Sequence, residues 1–155
     1  MLSRIMFGFV NFAARKGLST ETAEPSAKQR ARRTGVRGET YAYWYLRRHG
    51  YILIARNYMA PGIKGEIDLV GYDGPALAFV EVKTRTIDPA NPPLAKPEDA
   101  VTFEKRRNLS RMARQFLAER RIPEAQCRFD VLAIETTPGK APTVRLLKNA
   151  FTGEK

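Results

Sequence analysis

The chain has 155 residues, enough for one domain with at most a short extension. Its 43% apolar content supports a packed core, and 27 basic against 16 acidic residues leave a net charge of +11, which favours a polyanionic partner, either nucleic acid or an anionic membrane surface. A lone cysteine, Cys127, excludes an internal disulfide and a cysteine-based zinc site, and a lone histidine, His49, argues against histidine-based acid–base catalysis.

Residues 1–34 carry seven basic and two acidic residues, and residues 35–155 carry twenty and fourteen. Leu2, Ile5, Met6, Phe9 and Ala13 fall at helical spacing, in a stretch too short to span a bilayer. Ser19 to Arg33 is rich in Ser, Thr, Ala and charge, with Pro25 inside, and reads as a flexible linker. Residues 1–34 are therefore expected to form a flexible basic extension to a folded domain of residues 35–155. A signal-like sequence, a helix lying on a membrane surface, and residues upstream of the true start are the competing readings of the first eighteen residues.

The domain reads as mixed α/β. Val36 to His49 is expected to be its first helix, stopped by Gly50, and His49 is explained by its place at the helix end. Glu39 shares a face with Ala42, Tyr43 and Leu46, so it is an acid on an otherwise apolar stripe. Either it points inward, or it simply favours the helix dipole near the N-terminus. Tyr51 to Asn57 follows as a strand with Ile52 and Ile54 on one face.

Gly65–Gly71 and Ala76–Thr84 then form a hairpin across Tyr72-Asp73-Gly74-Pro75. Acids and a lysine interrupt its apolar runs, at Asp68 in Gly65-Glu66-Ile67-Asp68-Leu69-Val70 and at Glu81 and Lys83 in Phe79-Val80-Glu81-Val82-Lys83-Thr84. Alternation puts Glu81 and Lys83 on one face. An even-numbered loop centred on Asp73-Gly74 places Asp68 opposite Phe79 and Glu66 opposite Glu81, so Asp68 joins that face. Two carboxylates and an ammonium on a rigid hairpin suit a metal site for phosphodiester chemistry. A structural salt bridge from Lys83 to Asp68 or Glu81 would satisfy the burial of these charges equally well.

Pro89, Pro92 and Pro93 make Ile87 to Lys96 a loop. A long helix is expected from near Pro97, with Glu98 and Asp99 in its first turn and Val101, Leu109, Met112 and Phe116 as its apolar stripe. Lys105 lies on that stripe, either as a lysine snorkelling to solvent or as an ammonium reaching an acidic or phosphate site. Arg106, Arg107, Arg111, Arg114, Arg120 and Arg121 crowd the rest of the helix, as a solvated face or as a lining for a phosphate backbone. Cys127 to Ile134 and Thr143 to Leu147 read as the last strands.

In order along the chain, Gly38-Glu39, Gly50-Tyr51, Arg56-Asn57, Gly65-Glu66-Ile67-Asp68-Leu69-Val70, Val80-Glu81-Val82-Lys83-Thr84-Arg85, Lys105-Arg106-Arg107 and Arg128-Phe129-Asp130-Val131 resemble the bacterial YraN-like family of predicted endonucleases. That family is similar to archaeal Holliday-junction resolvases and to the restriction-endonuclease-like nucleases. The resemblance spans about residues 35–151. It implies a central mixed sheet flanked by helices, and a metal-dependent endonuclease of the cytoplasm acting on DNA, with the substrate open between junction or branched DNA, flap, single strand, nicked duplex and RNA. It further implies that Asp68 and Glu81 hold a divalent metal, that Glu39 completes the metal site, and that Lys83 is the catalytic lysine. Glu66 matches a family position whose role is open between supporting the site and contacting substrate.

Carboxylate oxygens suit Mg²⁺ or Mn²⁺. Recognition of nucleic acid is expected to run through phosphates, with Lys105, Arg106, Arg107, Arg111 and Arg114 as the contacts, since neither a helix-turn-helix nor a zinc finger is evident. A homodimer would suit a symmetric junction. A non-catalytic nucleic-acid-binding module on the same fold, and contact of the N-terminal segment with a membrane surface, are the alternatives.

Overall fold

The structure, a computed structural model, describes residues 26–123 and 127–153. Helix α1 (Ala27–Arg48) is followed by strands β1 (Ile52–Tyr58), β2 (Ile67–Asp73) and β3 (Ala76–Thr86), helix α2 (Phe103–Arg120), and strands β4 (Cys127–Thr136) and β5 (Thr143–Phe151). The five strands form one sheet in the order β1-β2-β3-β4-β5. All neighbours are antiparallel except β3 and β4, which run parallel. A parallel pair needs a long crossover, and α2 supplies it.

The helices cover opposite faces. Leu109, Met112, Ala113, Phe116 and Leu117 of α2 pack on Val70, Leu77, Phe79, Phe129 and Val131. Tyr41, Ala42 and Leu46 of α1 pack with Tyr51 on Leu69, Ala78, Val80, Leu132 and Ile134. The strand residues of the two sets alternate along β3 and β4, as period-two side chains buried on both faces must. This is the expected α/β fold, a mixed sheet flanked by helices, and it is consistent with a restriction-endonuclease-like architecture. Among the described residues no helix is long and apolar enough to cross a membrane.

Three expectations change in detail. Helix α1 begins at Ala27 rather than Val36. Ala27, Lys28, Gln29, Arg30, Ala31, Arg32 and Arg33 are all strong helix formers, and Gly35 inside the helix costs only about 1 kcal/mol. The proposed boundary at residue 34 thus falls within a helix, while the amphipathic stretch from Leu2 to Ala13 and the start of the linker lie outside the described residues. The helix ends as read: Gly50 takes φ 89°, and the Tyr51 N–H bonds the Leu46 carbonyl at 3.1 Å.

Helix α2 begins at Phe103, not near Pro97, where residues 97–100 make one 3₁₀ turn. The Asp99 carboxylate accepts the Lys96 N–H at 3.0 Å, and the buried Val101 pins the chain before the helix proper. Thr102 then caps α2, its hydroxyl accepting the Lys105 N–H at 3.3 Å.

The hairpin closes one step later than expected. Asp73 pairs with Ala76 around a two-residue Gly74-Pro75 turn, so Val70 rather than Asp68 faces Phe79. Gly74 has φ 58° and proline holds the next φ near about −65°, the signs of a type II′ turn. Continuing this register puts Asp68, not Glu66, level with Glu81. The loop stays even-numbered, so Asp68, Glu81 and Lys83 still share a face.

Candidate metal centre

Asp68 and Glu81 are 8% and 4% exposed, at the end of the β2–β3 ladder. Paired residues in that ladder stop at Leu69 and Val80, and beyond them the Val82 N–H donates to Asp68 Oδ2 at 2.6 Å. The carboxylate thus takes the place of a backbone acceptor and is held in one orientation. Burial pushes the Asp68 pKa up to about 7; the charge of Glu81 adds to the rise, while the Val82 N–H and Lys105 partly offset it.

Glu39 reaches this point from α1. Gly38 allows it: a Cβ there would lie 1.9 Å from Thr84 Oγ1 and 2.9 Å from Thr84 Cβ, so only glycine lets the helix approach β3 this closely. Asn57 then orients the acid, its Nδ2 donating to Glu39 Oε2 at 3.0 Å. Asn57 takes φ 48°, a left-handed conformation that asparagine tolerates better than most residues. Arg56-Asn57 is part of the resemblance, but no role for Asn57 was legible in it. The signal was the residue type, because an asparagine inside a strand marks a local break in the pleat.

Oxygens of Glu39, Glu66 and Asp68 all lie within 4.8 Å of one another. Glu66, open in role from the sequence, is thus part of the carboxylate cluster. Glu81 stands beside it. Its Oε1 pairs with Lys83 Nζ at 3.0 Å, and its Oε2 lies 3.3 Å from Lys105 Nζ. That second contact is close enough for an ion pair but has no hydrogen-bond geometry, leaving Oε2 buried without a hydrogen bond. The structure therefore brings together all four sequence-predicted acids, Lys83 and Lys105.

This donor set fits a divalent cation of the hard, oxygen-seeking class. The three clustered donors are all carboxylates, Asp68 among them is buried, and the adjacent buried Glu81 has an oxygen with an unmet hydrogen-bond requirement. Glu39, Glu66 and Asp68 would hold the ion, with Glu81 adjacent.

The basic residues of α2 divide. Lys105 faces the sheet with Leu109, Met112 and Phe116. Arg107, Arg111 and Arg114 are exposed, at about 180–240° around the helix from Lys105. Arg106 is half-buried, its Nε donating to the Val101 carbonyl at 3.1 Å and its guanidinium standing 5.3 Å from the Phe151 ring centroid. The arginine face and the carboxylate cluster are therefore on different sides of the helix.

A second buried acid behaves differently. Asp130, 0% exposed, accepts Arg128 Nε at 2.9 Å, Tyr51 Oη at 3.2 Å and the Asn149 N–H at 2.9 Å. Arg128 also reaches Asp73 at 2.6 Å, as does Lys148. These two cations hold the Asp73 carboxyl below the usual carboxylate range. This closed network ties the hairpin turn to β4 and β5. Arg85, also within the matched motifs, bonds Glu135 through Nε at 2.8 Å and donates to the Ala95 carbonyl, fastening the proline-rich loop to the sheet.

Residues 38–134 match the uncharacterised protein family UPF0102. A UPF0102 protein of Koribacter versatilis is 42% identical over 119 residues, covering 77% of this chain and 79% of the relative. One of Geobacter metallireducens is 44% identical over 117 residues, covering 76% and 90%. One of Symbiobacterium thermophilum is 42% identical over 121 residues, covering 78% and 98%. The matched span holds Glu39, Glu66, Asp68, Glu81, Lys83 and Lys105 together, and the chain belongs to the UPF0102 family.

Proposed function

We propose that this protein is a metal-dependent endonuclease that hydrolyses phosphodiester bonds in DNA, with Mg²⁺ or Mn²⁺ as its cofactor. The observation that carries the reading is the buried Glu81 oxygen without a hydrogen bond, set beside three clustered carboxylates and two lysines. The YraN-like resemblance supports it, as does the net charge of +11. The same resemblance makes branched or junction DNA the first substrate to test.

Each residue then has a task. Asn57 and the Val82 N–H fix Glu39 and Asp68 in the orientations that hold the ion. A bound divalent ion supplies charge for the scissile phosphate and a more acidic water. Lys83, 25% exposed, keeps its ammonium at the edge of the cluster, where it orients the attacking water or donates to a phosphate oxygen as charge grows there. Lys105 adds a second ammonium from the α2 side.

A non-catalytic nucleic-acid-binding module is the second reading, favoured by one observation: the 3.0 Å pair between Lys83 and Glu81 balances that acid without a metal. A cleavage assay separates the two. Branched, single-stranded and duplex DNA, with RNA alongside, are incubated with Mg²⁺, with Mn²⁺ and with chelator. Endonuclease function requires metal-dependent cleavage that Glu81→Ala abolishes. Binding without cleavage of any substrate selects the second reading.

A further inference from the structure

Lys105 is the charged group of the centre whose position needs most explanation. Its backbone is fixed in the first turn of α2 by the Thr102 cap. Its ammonium sits between one carboxylate and one backbone carbonyl, 3.3 Å from Glu81 Oε2 and donating to the Glu66 carbonyl oxygen at 3.4 Å. Yet the Glu81 contact lacks hydrogen-bond geometry, and Glu81 is outside the cluster that Glu39, Glu66 and Asp68 form. Two ammonium groups, one beside each oxygen, offset the charge of the Glu81 carboxylate. A cation beside Asp68 competes for the same carboxylate.

Resting on the metal-centre reading above, we propose that Lys105 is a positioning residue acting through Glu81. Its ammonium is the internal counter-ion of the metal-free centre, holding Glu81 out of the ligand cluster, and it yields Glu81 when a divalent cation enters. The exchange sets metal affinity below what four carboxylates would otherwise give. It also frees an ammonium beside the bound ion, where a phosphate would lie. A poor hydrogen bond suits a contact that must be given up, and a quarter-exposed lysine (28%) can turn to solvent or substrate at small cost.

The test is calorimetric titration of the protein with Mn²⁺ and Mg²⁺, without nucleic acid, for wild type, Lys105→Met, Lys105→Gln and Lys105→Arg. Both neutral variants are expected to bind metal about fivefold to tenfold more tightly, and Lys105→Arg to stay near wild type. The neutral substitutions are then repeated in a Glu81→Gln background, where the gain is expected to vanish. Wild-type binding with no gain in either neutral variant overturns the counter-ion role and leaves the metal centre standing. A gain that persists without Glu81 overturns it too, because the lysine would then act by simple repulsion. If wild type binds neither metal, the metal-centre reading fails and this role fails with it.

Discussion

Glu81 and Asp130 sit one register step apart on the paired strands β3 and β4, both buried, and only Asp130 has both carboxylate oxygens hydrogen-bonded. They point to opposite faces. Asp130 meets Arg128, Tyr51 and a backbone N–H, which is what a structural buried acid requires. Glu81 meets two lysines and keeps an oxygen without a hydrogen bond. Buried charge left in that state costs stability, and a metal centre is a physical reason to keep it.

Stability should separate these two acids. Asp130→Asn leaves the half-buried Arg128 with Asp73 as its counter-charge, removes charged hydrogen bonds at a fully buried position, and is expected to cost roughly 1.5–3 kcal/mol. Glu81→Gln leaves two partly exposed lysines that water can solvate, and should shift metal-free stability by less than about 1 kcal/mol. Urea denaturation of both variants decides the matter. Comparable losses would mean that Glu81 is as structural as Asp130.

Asp68 predicts an unusual pH dependence. Its carboxyl is raised above the unfolded value of 3.8 to about 7, by burial first and by Glu81 second. A raised carboxyl favours the protonated folded state, so its contribution is complete below about pH 4 and lost as pH rises through about 7. The metal-free protein should therefore lose stability from pH 5 to pH 8, and Mg²⁺ should restore it at pH 8 far more than at pH 5. Asp68→Asn should flatten both effects. Melting curves across that range, with and without Mg²⁺, would count against the assignment if wild type and Asp68→Asn share one pH slope.

The approach of α1 to β3 is equally exposed to test. Gly38→Ala places a methyl 2.9 Å from Thr84 Cβ, which rotation of the hydroxyl cannot relieve. Expected destabilisation is about 1–3 kcal/mol, with weaker metal binding because Glu39 moves with the helix. Thr84→Ala should recover part of the stability in a double-mutant cycle. Loss of stability with unchanged metal affinity would separate Glu39 from the centre.

Arg107, Arg111 and Arg114 form an exposed basic face turned away from the centre. If that face meets phosphates, changing all three to Gln should weaken binding to every DNA sequence alike. It should also lower the salt slope by about 0.9 for each phosphate that is no longer neutralised. An unchanged slope would move the nucleic-acid interface to the side of α2 that carries Lys105.

The sequence by itself determined the element types, the α/β class, and the common face of Asp68, Glu81 and Lys83. These follow from local properties: helical and strand periodicity, and the parity of an even-numbered turn, which survives a shifted register. It also placed Lys105 on the apolar stripe of α2. Only the tertiary structure decided that Asp68 is level with Glu81, because Gly74-Pro75 and Asp73-Gly74 are both credible turns until the ladder selects one. It alone brought Glu66 into the cluster, bound Asn57 to Glu39, and set Lys105 against Glu81 rather than in solvent. Asn57 and Glu39 are 18 positions apart, and Lys105 and Glu81 lie on different elements. Sequence spacing carries no distance across such gaps; the packing of two helices on opposite faces of one sheet does.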